Sequence, residues 1–424
     1  MSKTTNVVKR ISNIIVFLIL LMPIVRYYNV PGTDVGSNSA IILALCFIAT
    51  VAFVYNNMFI VYGTDAVTFR KSRHLFVAFF IWSIIITMYY EYGGLASGNF
   101  NNAIVASLSG YVIILLLSNR INLSGIFSIY QWLVYIVLFI LLIQWALTIV
   151  GASASFSLPL HTFNGSWLFE EGMNFGMNGA NTSIFSEPAH ISEFLIPYLC
   201  YLLFGESNKK RRKILSLAIS IAIVLTLSGT GIVLLGIVWL LYFTFFSDKK
   251  GSNKIFIGVL GIIAVFAIFL VMQTFEDYNS MLGKLFFSSN GSLEANKSSF
   301  RVYRGWDYVF KMPFANLLTG VGFVHMETFA MMNGIHSIFD NDFKMFEWFS
   351  GITEVILYFG IIGAIPFVMH IVKLYQNQSK QTKSILIVFM ALLFTSQILF
   401  LETHLFYLAL ILGSIQERKQ IVTS

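Results

Sequence analysis

Charge is scarce along this chain. Asp, Glu, Lys and Arg make up 11% of its 424 residues, 57% are hydrophobic, and the mean hydropathy is +0.77. Such a chain cannot expose its side chains to water, which excludes a soluble globular enzyme and leaves a polytopic, all-α integral membrane protein. Cysteine is nearly missing too. The two present, Cys46 and Cys200, fall inside apolar runs and read as small core residues, so neither a disulfide framework nor a thiolate metal site is expected. Also lacking are a phosphate-binding P-loop, a dinucleotide fingerprint, a His-Glu-x-x-His zinc motif, a repeat of fixed period and a soluble domain. The sequence pI near 9.2 would point to nucleic acid in a soluble protein. Here the basic residues follow the membrane-anchor pattern, and no nucleic-acid partner is expected.

What the chain has in abundance is apolar runs. They lie at about Ile11–Tyr28, Ser39–Tyr62, Leu75–Tyr90, Ala103–Ser118, Phe127–Val150, Pro188–Phe204, Ile255–Thr274 and Phe346–Ile371, each near the ~20 residues a crossing helix needs. The run Ile214–Phe246 is too long: as one straight helix it would measure ~50 Å against a hydrocarbon core of ~30 Å. Both its ends are basic, Lys209–Lys213 before it and Lys249-Lys250 after it, so both are expected on the cytoplasmic side with a turn at Ser228-Gly229-Thr230-Gly231. Each half then falls short of the core, which places the turn below the outer surface in a protein-lined, wet cavity. Ser384–Gln416 repeats the logic, with Lys380 and Lys383 before it, Arg418 and Lys419 after it, and Glu402-Thr403-His404 at its midpoint. About 12 transmembrane helices result, forming one membrane domain over 1–424 with both termini cytoplasmic and an uncleaved first span.

The charges agree with that arrangement. Of the 27 Lys and Arg, 20 fall in segments assigned to the cytoplasm, while Asn29–Asn38, Glu91–Asn102 and the outer loop 151–187 contain none. Arg26 is one exception. The other six, Lys284, Lys297, Arg301, Arg304, Lys311 and Lys344, sit in the long outer loop 274–345, which is long enough to translocate regardless of charge and so can keep basic residues for other work.

That loop carries the first candidate residues. Ser299 to Tyr308 reads as an amphipathic outer helix with Ser298 or Ser299 as N-cap and Pro313 near its end. Arg301 and Arg304, three residues apart, share a face about 5–6 Å apart at Cβ and can grip one phosphate or pyrophosphate from two sides. Tyr303, Trp306 and Tyr308 suit the headgroup level or a sugar ring. The same residues also suit an interfacial helix whose arginines bind lipid phosphates. Downstream come a Gly320-x-Gly322 turn, His325, His336 and Glu354; a histidine there is suited to general-base work, and Glu354 inside a span requires a partner or a cavity. Ser186-Glu187-Pro188, with His190 and Glu193 following at spacings of three, converges at the same membrane level with Ser228, Thr230, Glu402 and His404, and Arg26 is expected to pair with one of these carboxylates. Asp340-Asn341-Asp342 has the look of an acidic metal pair, but no metal is expected there.

These marks together resemble the Wzy-type polymerases of bacterial O-antigen and capsular polysaccharide, which are related to the O-antigen ligases. The resemblance rests on Ser186-Glu187-Pro188, the Ser228–Gly231 hairpin, the Arg301-x-x-Arg304 helix, Gly320-Val321-Gly322-Phe323, His336, and Glu354 followed by Tyr358-Phe359-Gly360-Ile361-Ile362-Gly363. It implies a GT-C-like glycosyltransferase in the bacterial inner membrane, metal-independent and without cofactor. The implied substrate is an undecaprenyl-diphosphate-linked oligosaccharide, and the implied partners are the lipid bilayer, a chain-length regulator and a flippase. Arg301 and Arg304 would neutralise the diphosphate leaving group, and His336 or Glu187 would deprotonate the acceptor hydroxyl. Arg26, Ser186, His190, Glu193, Ser228, Thr230, Gly320, Gly322, Tyr303, Trp306, Glu354 and His404 would line the substrate site. Gly229 stands where the ligases commonly carry an arginine, which favours polymerase over ligase. A lipid-linked oligosaccharide flippase without chemistry is the alternative of another class; a transporter should instead place its charges at mid-membrane.

Overall fold

A computed structural model describes residues 3–26, 28, 36–57, 66–93, 100–150, 183–185, 188–226, 228–245, 297–337 and 349–423. Among them the regular structure is helical: α1 (Lys3–Leu21), α2 (Ser37–Asn57), α3 (Ala66–Tyr92), α4 (Phe100–Leu117), α5 (Ile126–Ile149), α6 (Pro188–Phe204), α7 (Lys209–Leu225), α8 (Gly229–Leu240, prolonged by a π turn over Leu241–Phe245), α9 (Lys297–Lys311), α10 (Phe314–Thr319), α11 (Met326–Met332), α12 (Gly351–Tyr375), α13 (Lys380–Thr395) and α14 (Glu402–Thr423). Every expected span coincides with one of these helices except Ile255–Thr274, which lies outside the described residues. The segments Ser37–Asn56, Arg70–Tyr92, Ile126–Leu147 and Gly351–Tyr375 are long and apolar enough to cross a membrane. Asn101–Leu117, Pro188–Phe204 and Gly229–Thr244 are apolar but shorter.

Boundaries shift where local chemistry overrides hydropathy. The first helix stops at Leu21 rather than reaching Tyr28, because Pro23 has no amide to continue the ladder. The third begins at Ala66, since Arg70, Lys71 and Arg73 extend the helix beyond the apolar run. Both expected hairpins form. The first turns between α7 and α8 with Ser228 as N-cap, its Oγ accepting from the Gly231 amide at 3.1 Å. The second breaks between Thr395 and Glu402.

Helices α6 and α14 form the centre, buried nearly all round from Ile191 to Cys200 and from Glu402 to Gln416. A helix apolar on every side is stable only when surrounded by other helices. Around this centre stand α4 and α5 beside α14, α7 and α8 beside α6, and α13 between α6 and α14. The outer faces carry large exposed apolar side chains, including Phe47, Tyr89, Trp132, Phe139 and Leu142. Such a surface suits lipid, not water.

Candidate functional site

The site is built around a break in α12. At Gly360 the backbone turns to φ 64°, ψ −176° in the middle of an otherwise continuous helix, taking the carbonyls before it out of regular helical geometry. Three donors satisfy them: the Val321 amide bonds the Leu357 carbonyl at 3.1 Å, the Gly322 amide bonds the Tyr358 carbonyl at 2.8 Å, and Trp82 Nε1 bonds the Phe359 carbonyl at 2.8 Å. Unwound backbone at membrane depth is tolerable only when buried in protein and paired in this way. The approach is close enough to require glycine on both sides. A Cβ on Gly320 (φ 79°) would lie 2.3 Å from the Tyr358 carbonyl oxygen, and one on Gly360 the same distance from that of Leu318. Gly320 and Gly322, expected to face substrate, instead use their amides within the protein, to Asn316 and Tyr358 respectively. They set the wall of the site.

Next to this clasp, α9 lies along the start of α12. Its amphipathic pattern turns Arg304, Gly305, Tyr308 and Val309 inward and leaves Tyr303 and Phe310 exposed. Gly305 permits the contact: a Cβ there would meet Thr353 Oγ1 at 2.2 Å. Arg304 is 1% exposed, with Cζ 5.8 Å from the Phe349 ring centroid, and Tyr308 packs edge-on against the same ring. A guanidinium so placed is drawn to the ring face, and in a low dielectric it acts strongly on any anion that reaches it. Arg301 lies one turn earlier on the helix, and its side chain is outside the described set. Trp306 is half-buried against the core. Lys311 Nζ holds Asp307 Oδ2 at 3.0 Å and the His336 carbonyl at 2.7 Å, so His336, exposed on its loop, is tethered to this helix through its backbone.

Across α12 the polar groups form a layer. Glu354 is 2% exposed and accepts from Gln397 Nε2 at 2.6 Å. Arg26 Nε meets Glu402 Oε1 at 2.7 Å in an ion pair. The expected pairing of Arg26 with an outer carboxylate is therefore made with Glu402. On one side of that pair, Arg26, His190, Glu193 and Thr403 enclose a pocket of about 10 Å³, room for one water. On the other side opens a cavity of about 370 Å³ bounded by α2, α4, the Phe323–Glu327 segment, Tyr358 and the Gln397–Glu402 connection.

Some expected site residues have structural roles. His404 is 1% exposed, accepts from the Phe400 amide at 3.3 Å, and packs among Phe76, Phe367, Phe389 and Phe400; it belongs to the aromatic core and does not line the cavity. Ser228 caps α8, and Thr230 is half-buried in its first turn. Ser186, Glu187 and Asp340–Asp342 lie outside the described residues. Among the described residues no group of His, Cys, Asp and Glu could hold a metal.

Like Glu354 with Gln397, a second pair left no trace in the sequence. His325, fully buried, places Nε2 2.7 Å from Glu91 Oε2 on α3, and the residue before it, Val324, adopts φ 60°. A β-branched residue in the left-handed region is strained, and such strain persists only where the surroundings impose it. A sequence separation of 234 between His325 and Glu91 left no local signal for the contact. Compared with known proteins, the chain matches no family model and no curated sequence.

Proposed function

We propose that this protein is a glycosyltransferase acting at the outer leaflet of the inner membrane, a polysaccharide polymerase that moves a growing glycan from undecaprenyl diphosphate onto an incoming lipid-linked repeat unit. The observation that carries the reading is the buried Arg304, held by α9 against Phe349, with α9 packed on α12, whose Tyr358 borders the cavity of about 370 Å³. A desolvated guanidinium that can meet the departing charge is what transfer from a diphosphate requires. In the reaction the acceptor hydroxyl oxygen bonds to the donor's anomeric carbon, the bond from that carbon to the phosphate oxygen breaks, and the diphosphate leaves with its charge on Arg304 and Arg301. The hydroxyl proton passes to His336 or Glu187. Charge that develops only as the leaving group departs is where a fixed cation lowers the barrier most.

The topology that goes with this reading has about 12 crossings, both termini in the cytoplasm of a bacterial inner membrane, and a GT-C-like arrangement in which the 274–345 loop meets the carrier. The glycan profile of a deletion strain tests it. A single repeat on the carrier or core supports polymerase. Absence of glycan outside the cell indicates a flippase, and loss of all attachment to the core indicates a ligase.

A further inference from the structure

The cavity of about 370 Å³ has a distinct chemistry. Its polar lining is made of carboxamides and carboxylates, Asn38, Asn102, Gln397, Glu327 and Glu402, with the Tyr358 ring among them, and among the described residues no Lys, Arg or His borders it. Such a wall repels phosphate. Glu402 already has its charge balanced by Arg26, so Glu327 is the one carboxylate of the wall without an ion pair among the described contacts, and the cavity presents hydrogen-bond acceptors and amide donors suited to a ligand rich in hydroxyls. Asn38 shows the need most directly: its Nδ2 donates to the Arg26 carbonyl at 3.4 Å, while Oδ1 is buried with no hydrogen-bond partner among the described residues. An orphan acceptor on a residue of the cavity wall is satisfied once its side chain turns it toward a donor that enters. Tyr358, Phe323 and Phe400 add aromatic faces to the wall, the usual partner for the apolar face of a sugar ring. The volume is at the low end of the ~300–1,000 Å³ of ligand sites and fits one or two rings.

From this we infer that the cavity between α2, α4 and the Gln397–Glu402 connection is a subsite for a neutral sugar residue, separate from the anion site at Arg304. Asn38 Oδ1 accepts from one ring hydroxyl, and Glu327, in the first turn of α11, accepts from another. In the transfer proposed above, on which this assignment rests, it seats the acceptor end of the incoming unit.

The test uses full-length protein in nanodiscs and saturation-transfer NMR with free glucose, galactose, mannose, rhamnose, N-acetylglucosamine and N-acetylgalactosamine at millimolar concentration. At least one sugar gives a saturable signal. Ala106→Phe, which fills the cavity, weakens that binding about tenfold or more, and Asn38→Leu weakens it about fivefold through one lost hydrogen bond. Arg304→Ala leaves it unchanged, and inorganic pyrophosphate does not compete. No saturable signal from any of the six, full binding in both cavity variants, or displacement by pyrophosphate overturns the assignment. The two proposals fail separately. Sugar binding in this cavity with normal glycan chains in Arg304→Ala cells sinks the polymerase reading alone, whereas chain growth lost in Arg304→Ala with no sugar bound sinks the subsite alone.

Discussion

The hairpins α7–α8 and α13–α14 share one sequence pattern, a basic start, an apolar run, a polar turn, a second apolar run and a basic end, yet they do different things. In α7–α8 the turn is tight. Ser228 caps the new helix, and Gly231 presses so closely on α6 that an added Cβ would sit 2.3 Å from Ser192 Oγ. In α13–α14 the chain runs loose from Ser396 to Leu401, with Phe400 at φ 57° and its ring stacked 5.7 Å from Phe79. That slack carries Gln397 to Glu354, brings Glu402 to Arg26 and supplies cavity wall between them. The first hairpin is a packing device, and the second builds the site. Charge pattern sets which side of the membrane a hairpin returns to, while the length and strain of the connection decide whether it can serve a ligand.

Substitutions should separate the two. The largest effect is expected from Gly231→Val, whose branched side chain has no room beside Ser192 and costs about 3 kcal/mol or more; thermal unfolding in detergent should show a large fall, while the protein that survives makes chains of normal length. Glu402→Gln, which removes the charge facing Arg26, should cost about 2 kcal/mol, less than a fully buried pair because Arg26 keeps some solvent contact, and it should shorten the glycan at matched protein level. Gln397→Leu deprives the buried Glu354 of its donor and should cost about 1–2 kcal/mol, again with shortened chains. Normal chains in both connection variants would erase the functional distinction between the hairpins. Ser228→Ala should be the mildest, about 1 kcal/mol for a lost N-cap, visible in unfolding and absent from the glycan profile.

Much of the fold is legible in the sequence, and the reasons are local. Apolar length and flanking charge locate the helices. Ser-Gly-Thr-Gly and Glu-Thr-His mark the hairpins to within a few residues, falling at the starts of α8 and α14 directly after the breaks, and α9 runs from Lys297 to Lys311, close to the expected start at Ser299 and the stop before Pro313. The pairing of Arg26 with an outer carboxylate follows from the cost of leaving it alone in lipid. The clasp between Gly320–Gly322 and the break at Gly360 is not legible, although both glycine motifs stand out in the sequence. Each is a weak signal alone, and what joins them is backbone hydrogen bonding between segments nearly forty residues apart. Isolated Gly360 within an apolar run was the available hint. Glu91 with His325 and Glu354 with Gln397 were hidden for the same reason: side chains meet through tertiary packing that no periodicity records. His404 misled because its place at a turn resembled that of a site residue, whereas the rings of four phenylalanines take it into the core.

The most direct test of the central claim replaces the wild-type protein by Arg304→Ala in cells at equal membrane level and measures glycan chain length. Products limited to single repeats are expected, a loss of extension of about 10²-fold or more, because a preorganised charge is removed from a leaving group. A ladder of unchanged length would contradict it.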